Sequence, residues 1–237
     1  IVGGGPGGLA LACGLAGQEN LEIRILEGRA RATLGARAIR SHSIGMGRRA
    51  REALIAIGGT ELWQRVSAHG LQAEGFTLHL NGIPLALPPP EGEPVVLVDR
   101  VKIVESLRDH LMAVRCAPGT DIQIQHSTKV SSADLVHRKI TVRREEDGHE
   151  EVMPYDVLVG SDGVRSRVRE AMNSQLPQGQ FESELKVMPG RWQVLQLELP
   201  PTFQAKSVHA MVSSSAPFGL FCIPSNSGQH CVIVSWS

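Results

Sequence analysis

The chain has 237 residues, 42% hydrophobic and 20% charged, with 24 basic and 24 acidic side chains. That length supports one large or two small domains with a real core. The formal net charge of zero argues against nucleic acid or an anionic membrane as partner, and no apolar run reaches membrane-spanning length. The sequence opens without an initiator methionine or a signal peptide. Its four cysteines, Cys13, Cys116, Cys222 and Cys231, show no C-x-x-C spacing and are expected to be reduced thiols of an intracellular, cytoplasmic protein. Cys222 and Cys231 are expected as a cross-strand pair of buried thiols.

In chain order, the first element is the stretch "IVGGGPGGLA", which contains Gly3-x-Gly5-x-x-Gly8 and runs into the small-residue helix pattern "LALACGLAG". A helix that starts through glycines offers unpaired N–H groups and its positive dipole end to an anion such as a pyrophosphate. Gly3 permits the tight turn, Gly5 lets a phosphate approach, and Gly8 lets helix and strand pack closely. "LEIRILEGR" then alternates as a strand and ends at Glu27, about where a Rossmann unit carries its ribose-binding carboxylate. Taken alone, Glu27 is equally a surface acid at a strand end. With the glycines, the spacing predicts a dinucleotide site, and the carboxylate would repel a 2′-phosphate, so FAD or NAD is expected rather than NADP. The strand before Gly3 keeps two residues, so the N-terminus is expected to be clipped.

Within residues 39–59, Met46, Ala50, Leu54 and Ile57 are expected on one helical face, after a serine-rich strand that leads into the helix, with a left-handed cap at Gly58-Gly59. "FTLHLNGIPLAL" predicts a hairpin with a type I′ turn at Asn81-Gly82. It pairs Leu80 with Ile83, Leu78 with Leu85 and Phe76 with Leu87, and Pro84 puts its strand at an edge or bulge. His79, opposite that apolar face, is expected to be solvated. Asp99 is expected to N-cap a helix whose stripe is Ile103, Val104, Leu107 and Leu111. Residues 139–160 predict a strand, an Asp147-Gly148 turn and a further strand. From 185 onward "LKVMPGRWQVLQLELP", "SVHAMVSS", "FGLFCIP" and "HCVIVSW" predict sheet strands.

Residues 156–169, "DVLVGSDGVRSRVR", predict a buried strand 156–160, the pair Asp162-Gly163 and a helix carrying Ser166 and Arg169. This resembles the D-G-x-x-S-x-x-R signature of class A flavoprotein monooxygenases, the p-hydroxybenzoate hydroxylase-like family. Without the resemblance, Asp162-Gly163 is a turn and Ser166 a helix-face residue. The segments 39–59 and "VLVDRVKIVESLRDHLM" are similar to kynurenine 3-monooxygenase-like members. The resemblance implies an α/β fold, a Rossmann-like FAD-binding domain interleaved with a mostly antiparallel, substrate-covering β-sheet. It implies a FAD-binding domain over 1–175, with 72–98 lending a hairpin to the sheet of 176–237. It implies FAD as cofactor and NAD(P)H as reductant, with Arg100 touching the FAD, Val130 offering a backbone contact to the adenine, and Asp162 and Gly163 at the ribityl chain.

The chemistry implied is hydroxylation of a small aromatic substrate through a flavin hydroperoxide, without a catalytic side chain or a metal in this chain. A third family motif, G-D followed by an alanine-rich stretch, has no counterpart before Ser237, so the chain is expected to be the N-terminal portion of such an enzyme. Where kynurenine hydroxylases hold the substrate carboxylate, this sequence has Phe76 and Pro94. A less polar aromatic is therefore expected. A related flavoprotein oxidase or reductase, or a truncated remnant that binds FAD without catalysis, remains open on sequence alone.

Overall fold

A computed structural model describes residues 1–30, 41–87, 95–114, 116–187 and 189–236. Pro94, and Ile39 and Arg40 at the start of the 39–59 segment, lie outside the described residues. The chain divides into two compact units, 1–35 with 107–186 and 36–106 with 187–237.

In the first unit, helix α1 (Pro6–Leu15) follows the glycines and strand β1 (Glu22–Leu26) follows the helix. β1 pairs in parallel with β7 (Asp121–Gln125), and Val2 bridges in parallel to both Leu26 and Gly160. Alternation in β1 buries Ile23 and Ile25 while Glu22 and Arg24 face outward as an ion pair. Strands β8 (Thr128–Asp134), β9 (Lys139–Arg144) and β10 (Glu150–Pro154) form an antiparallel meander. Their inner face, with Val130, Ile140, Val142 and Met153, packs on Val2, Leu26 and the Val168–Ala171 face of the unit's last helix. The expected turn at Asp147-Gly148 joins β9 to β10, and Gly148 takes a φ of +70°. The expected strand 156–160 is not formed. Among the described residues its backbone pairs only with Val2, through the bridge at Gly160, and Val157 is exposed. One short partner cannot sustain a ladder or bury both faces.

In the second unit, β2 (Ser43–Met46), β6 (Val96–Asp99) and β3 (Leu71–Gln72) make a small antiparallel sheet. Met46 therefore sits on a strand rather than on the expected helical face; Gly47 follows it and is the N-cap of α2 (Arg48–Ser67). The expected break at Gly58-Gly59 is present as a kink: Gly59 has the required positive φ, +68°, but its ψ of −178° lets a second helical segment resume. Asp99 Oδ1 accepts from Val101 N at 2.7 Å and starts α3 (Arg100–Ala113), whose Ile103, Leu107 and Leu111 are buried. The division between the units falls within this helix.

The large sheet of the second unit has six strands in the order β11-β14-β13-β12-β4-β5, with one parallel pair, β12 with β4. They are β4 (Gly75–Leu80), β5 (Ile83–Leu87), β11 (Arg191–Leu197), β12 (Ser207–Val212), β13 (Phe218–Pro224) and β14 (His230–Trp236). The β4–β5 hairpin has the expected register, Phe76 with Leu87, Leu78 with Leu85 and Leu80 with Ile83, and Asn81 and Gly82 have positive φ. β5 is the edge strand, which tolerates Pro84.

Two expectations fail in this sheet. Cys222 stands opposite Val232 while Cys231 stands opposite Ile223, so the two buried thiols point to opposite faces and do not form a pair. His79 is half-buried rather than solvated, because the 198–206 connection lays Phe203 over it, with ring centroids 5.6 Å apart.

Candidate functional site

The first unit gathers the glycine turn, Glu27 and the Asp162 motif through the two partners of Val2. Gly3 N donates to Leu26 O, Val2 N donates to Val159 O, and Ser161 N donates back to Val2 O, at 2.7–2.8 Å. The turn is built for glycine by crowding. Gly3 has a φ of +103°, and a Cβ there would lie 2.5 Å from the Ser161 carbonyl oxygen. A Cβ on Gly8 would collide with the Gly3 carbonyl oxygen and lie 2.6 Å from Ser161 Oγ. Around Gly5 and Gly7 the opposite holds: a Cβ at either would meet nothing within 4 Å. Gly5 is the N-cap of α1 and Pro6 follows, with no side-chain cap and no acid in the first turn. The helix start is therefore bare backbone beside open space, which fits a phosphate-bearing ligand.

Glu27 lies one residue past β1 and is 7% exposed. Its carboxylate is not loose. Oε2 accepts from Gly4 N at 2.9 Å, Oε1 accepts from Arg29 N at 3.0 Å, and Arg29 Nε lies 3.5 Å from Oε1. Each oxygen keeps a lone pair free for a ligand hydroxyl. The acid thus pins the glycine turn from the strand side as well as facing the cradle.

On the other side, Asp162 Oδ2 accepts from Arg167 N at 2.7 Å, whereas Oδ1 is buried without a hydrogen-bond partner among the described residues. A buried acceptor left open costs about 1–3 kcal/mol unless a ligand fills it. Gly163 begins a 3-10 turn with a φ of +82°. Ser166 caps α4 (Arg167–Gln175) by accepting from Arg169 N at 3.0 Å, and the Arg169 guanidinium reaches the carbonyls of Gly163 and Val164. The serine and arginine of the motif hold the turn's shape beside Asp162. FAD, with a pyrophosphate and many hydroxyls, fits these donors and acceptors.

The remaining sequence-predicted residues fall elsewhere. The Val130 side chain is 4% exposed in the core of the first unit, and the β8 ladder slips between Val130 and Ser132. Any ligand contact from Val130 must come from its backbone. Arg100 belongs to the second unit, at the first position of α3, where its N–H donates to His42 O at 3.2 Å. Phe76 is half-buried on β4, with its ring 6.2 Å from that of Phe221. Sequence reasoning passed over Ser161, whose hydroxyl bonds inside the glycine turn; its only signal was a hydroxyl beside the Asp-Gly pair.

Burial pushes the Cys13 thiol on α1 up to about 11, so it is inert near neutral pH. Among the described residues, no group of His, Cys, Asp and Glu could hold a metal ion, and no helix is long and apolar enough to cross a membrane.

All 237 residues match a protein family described as FAD binding domain. No curated protein sequence matches the chain. Among solved structures, the fold is similar to pqsL, "a probable FAD-dependent monooxygenase from Pseudomonas aeruginosa", with a TM-score of 0.69 at 18% identity, over 100% of this chain and 59% of that one. It is similar to 2-methyl-3-hydroxypyridine-5-carboxylic acid oxygenase, with a TM-score of 0.64 at 16% identity, over 100% and 57%. It is also similar to the flavin-dependent monooxygenase PieE, solved with FAD and substrate, with a TM-score of 0.70 at 16% identity, over 100% and 42%. The chain spans 59% or less of the length of these three proteins.

Proposed function

The chain belongs to the FAD binding domain family, and from that premise we propose that it is the nucleotide-holding part of a FAD-dependent, NAD(P)H-using monooxygenase that hydroxylates a small aromatic molecule. The observation that carries this reading is the meeting of the glycine turn with Asp162. Gly3 and Gly8 pack against Ser161, next to a buried acceptor with no partner, and open space lies at Gly5.

In this reading the amides at the start of α1 hold the pyrophosphate, with the helix dipole adding to them. Glu27 accepts from the ribose hydroxyls of the adenosine half. Asp162 Oδ1 accepts from a ribityl hydroxyl, with Gly163 giving the chain its turn beside it. Val130 meets the adenine through its backbone. The bound flavin supplies the electron transfer and oxygen chemistry, and the protein positions the rings and excludes water. The six-stranded sheet covers the substrate. Phe76 and Phe221 give that surface an apolar, aromatic character, which supports a less polar substrate than an amino acid such as kynurenine. The solved relatives support an aromatic substrate, since one of them is named for a hydroxypyridine carboxylic acid.

The test is made on the intact protein. It should purify with one FAD per chain and consume NAD(P)H faster when an apolar phenol is present, with hydroxylated product formed in step. Kynurenine should give no such stimulation. Protein that neither retains FAD nor regains it on titration rules the reading out, and saturable stimulation by kynurenine with hydroxykynurenine as product rules out the substrate class.

A further inference from the structure

We propose that Ser161 is a positioning residue that ties the glycine turn to Asp162, so that both ends of the dinucleotide site are set through one side chain. This rests on the FAD reading above. Ser161 Oγ lies 2.9 Å from Val2 O and 2.8 Å from Gly3 O. A serine hydroxyl has one proton, so it shares that proton between the two carbonyls. Its backbone repeats the attachment, since Ser161 N donates to Val2 O at 2.7 Å.

The packing leaves Ser161 little room to move. Its carbonyl oxygen occupies the space a Gly3 side chain would need, and its Oγ occupies part of the space a Gly8 side chain would need. The residue is thus wedged between the two glycines whose spacing makes the turn. The next residue along the chain is Asp162, with Oδ1 buried and unpartnered. The Asp162 backbone leads straight into the 3-10 turn 163–165, so a shift at Ser161 is carried to the aspartate through one peptide plane. Alanine would remove the donor from the Gly3 carbonyl while leaving the backbone pairing intact.

A purely structural serine would lower stability and nothing else. The coupling predicts an effect at a distance, and ADP reads it. ADP carries the pyrophosphate and the adenosine but no ribityl chain, so in this reading it touches the glycine turn and not Asp162. In the intact wild-type protein, ADP should slow amide hydrogen exchange at 3–8 and also at 162–165. In Ser161→Ala the first protection should remain in part and the second should vanish. The same substitution should weaken ADP and FAD about tenfold, the loss of one hydrogen bond. Its effect on FAD should not multiply with that of Asp162→Asn, because a misplaced aspartate has less to lose.

Wild type that binds FAD and ADP, yet shows ADP protection confined to 3–8, overturns the inference without touching the FAD reading. So does a folded Ser161→Ala protein with unchanged ADP and FAD affinity. Wild type that binds neither nucleotide overturns the FAD reading itself. The wild-type exchange measurement decides the point even if Ser161→Ala does not fold.

Discussion

The proposed dinucleotide site of the first unit and the six-stranded sheet of the second both bury polar atoms that have no partner among the described residues, and the two cases have different consequences. At the site, the orphan is Asp162 Oδ1, beside a glycine turn with open space at Gly5. A ligand can satisfy it. In the sheet, the orphans are both ring nitrogens of His230, which is 5% exposed among packed strands. Nearby, His209 is 2% exposed, and its rings and partners form a chain: His209 Nε2 lies 3.2 Å from Gln204 O, and His209 Nδ1 lies 3.2 Å from His79 Nε2. A carbonyl only accepts, so Nε2 of His209 carries the proton, its Nδ1 accepts, and His79 Nε2 donates. The orphan acceptor at the site predicts ligand binding; the buried imidazoles predict sensitivity to acid.

The largest effect should come from breaking the crowded side of the site. Gly8→Ala drives a methyl into the Gly3 carbonyl and Ser161 Oγ, both held by hydrogen bonds. A stability loss of about 3 kcal/mol or more is expected, since the obstacle is backbone rather than a flexible side chain. Thermal unfolding of Gly8→Ala beside wild type reads it.

Glu27 should come next. Glu27→Ala removes the ribose acceptors of the FAD reading and should weaken FAD by about 10- to 150-fold, from about 1.5–3 kcal/mol per charge-assisted bond. Glu27→Gln should do little better. Both carboxylate oxygens already accept backbone N–H groups, and an amide can satisfy only one of them. Flavin fluorescence titration distinguishes these from a Gln variant that binds as wild type, which would place Glu27 outside the ribose contact.

A smaller effect should appear in the sheet and only on acidification. Burial lowers the pKa of His230 and of His79, with His209 adding to both. Below the ordinary histidine value of about 6.5, the unfolded chain takes up protons that the folded sheet refuses. Stability should therefore be full near pH 8 and fall as pH drops through 6.5 toward the lowered folded values. Melting temperatures across pH 8 to 5 should show this decline, and His230→Leu should flatten it. A profile that is level in wild type contradicts the lowered values of His79 and His230. The smallest effect should be at the hairpin: Gly82→Ala forces a side chain into a φ of +85°, costing about 1 kcal/mol with no effect on nucleotide affinity.

The same contrast explains what could be read from the sequence. The shape of the glycine turn was legible because its requirement is steric and local, and the spacing Gly3-x-Gly5-x-x-Gly8 encodes it. The β4–β5 register was legible for the same reason, since Asn81-Gly82 fixes a two-residue turn. The sheet's interior was not. Cys222 and Cys231 were expected to pair, but a one-residue difference in register puts them on opposite faces, and sequence spacing does not give register. His79 was expected in water because no local pattern announces that Phe203, from a distant connection, covers it. The strand expected at 156–160 failed because apolar composition promises burial, whereas a strand also needs a partner long enough to sustain a ladder. Ser161 was overlooked because its role depends on Val2 and Gly3, over 150 residues away in the chain.

The central claim of the proposal is that the open space at Gly5 is where FAD's pyrophosphate lies. Titrating intact wild type and Gly5→Ala with FAD, with melting temperature measured in parallel, tests it most directly. A Cβ at Gly5 meets no protein atom within 4 Å, so Gly5→Ala should melt as wild type does while losing FAD binding by a hundredfold or so, as about 3 kcal/mol of close backbone contact is withdrawn. Gly5→Ala protein that melts normally and binds FAD as tightly as wild type would place the pyrophosphate elsewhere and contradict the account.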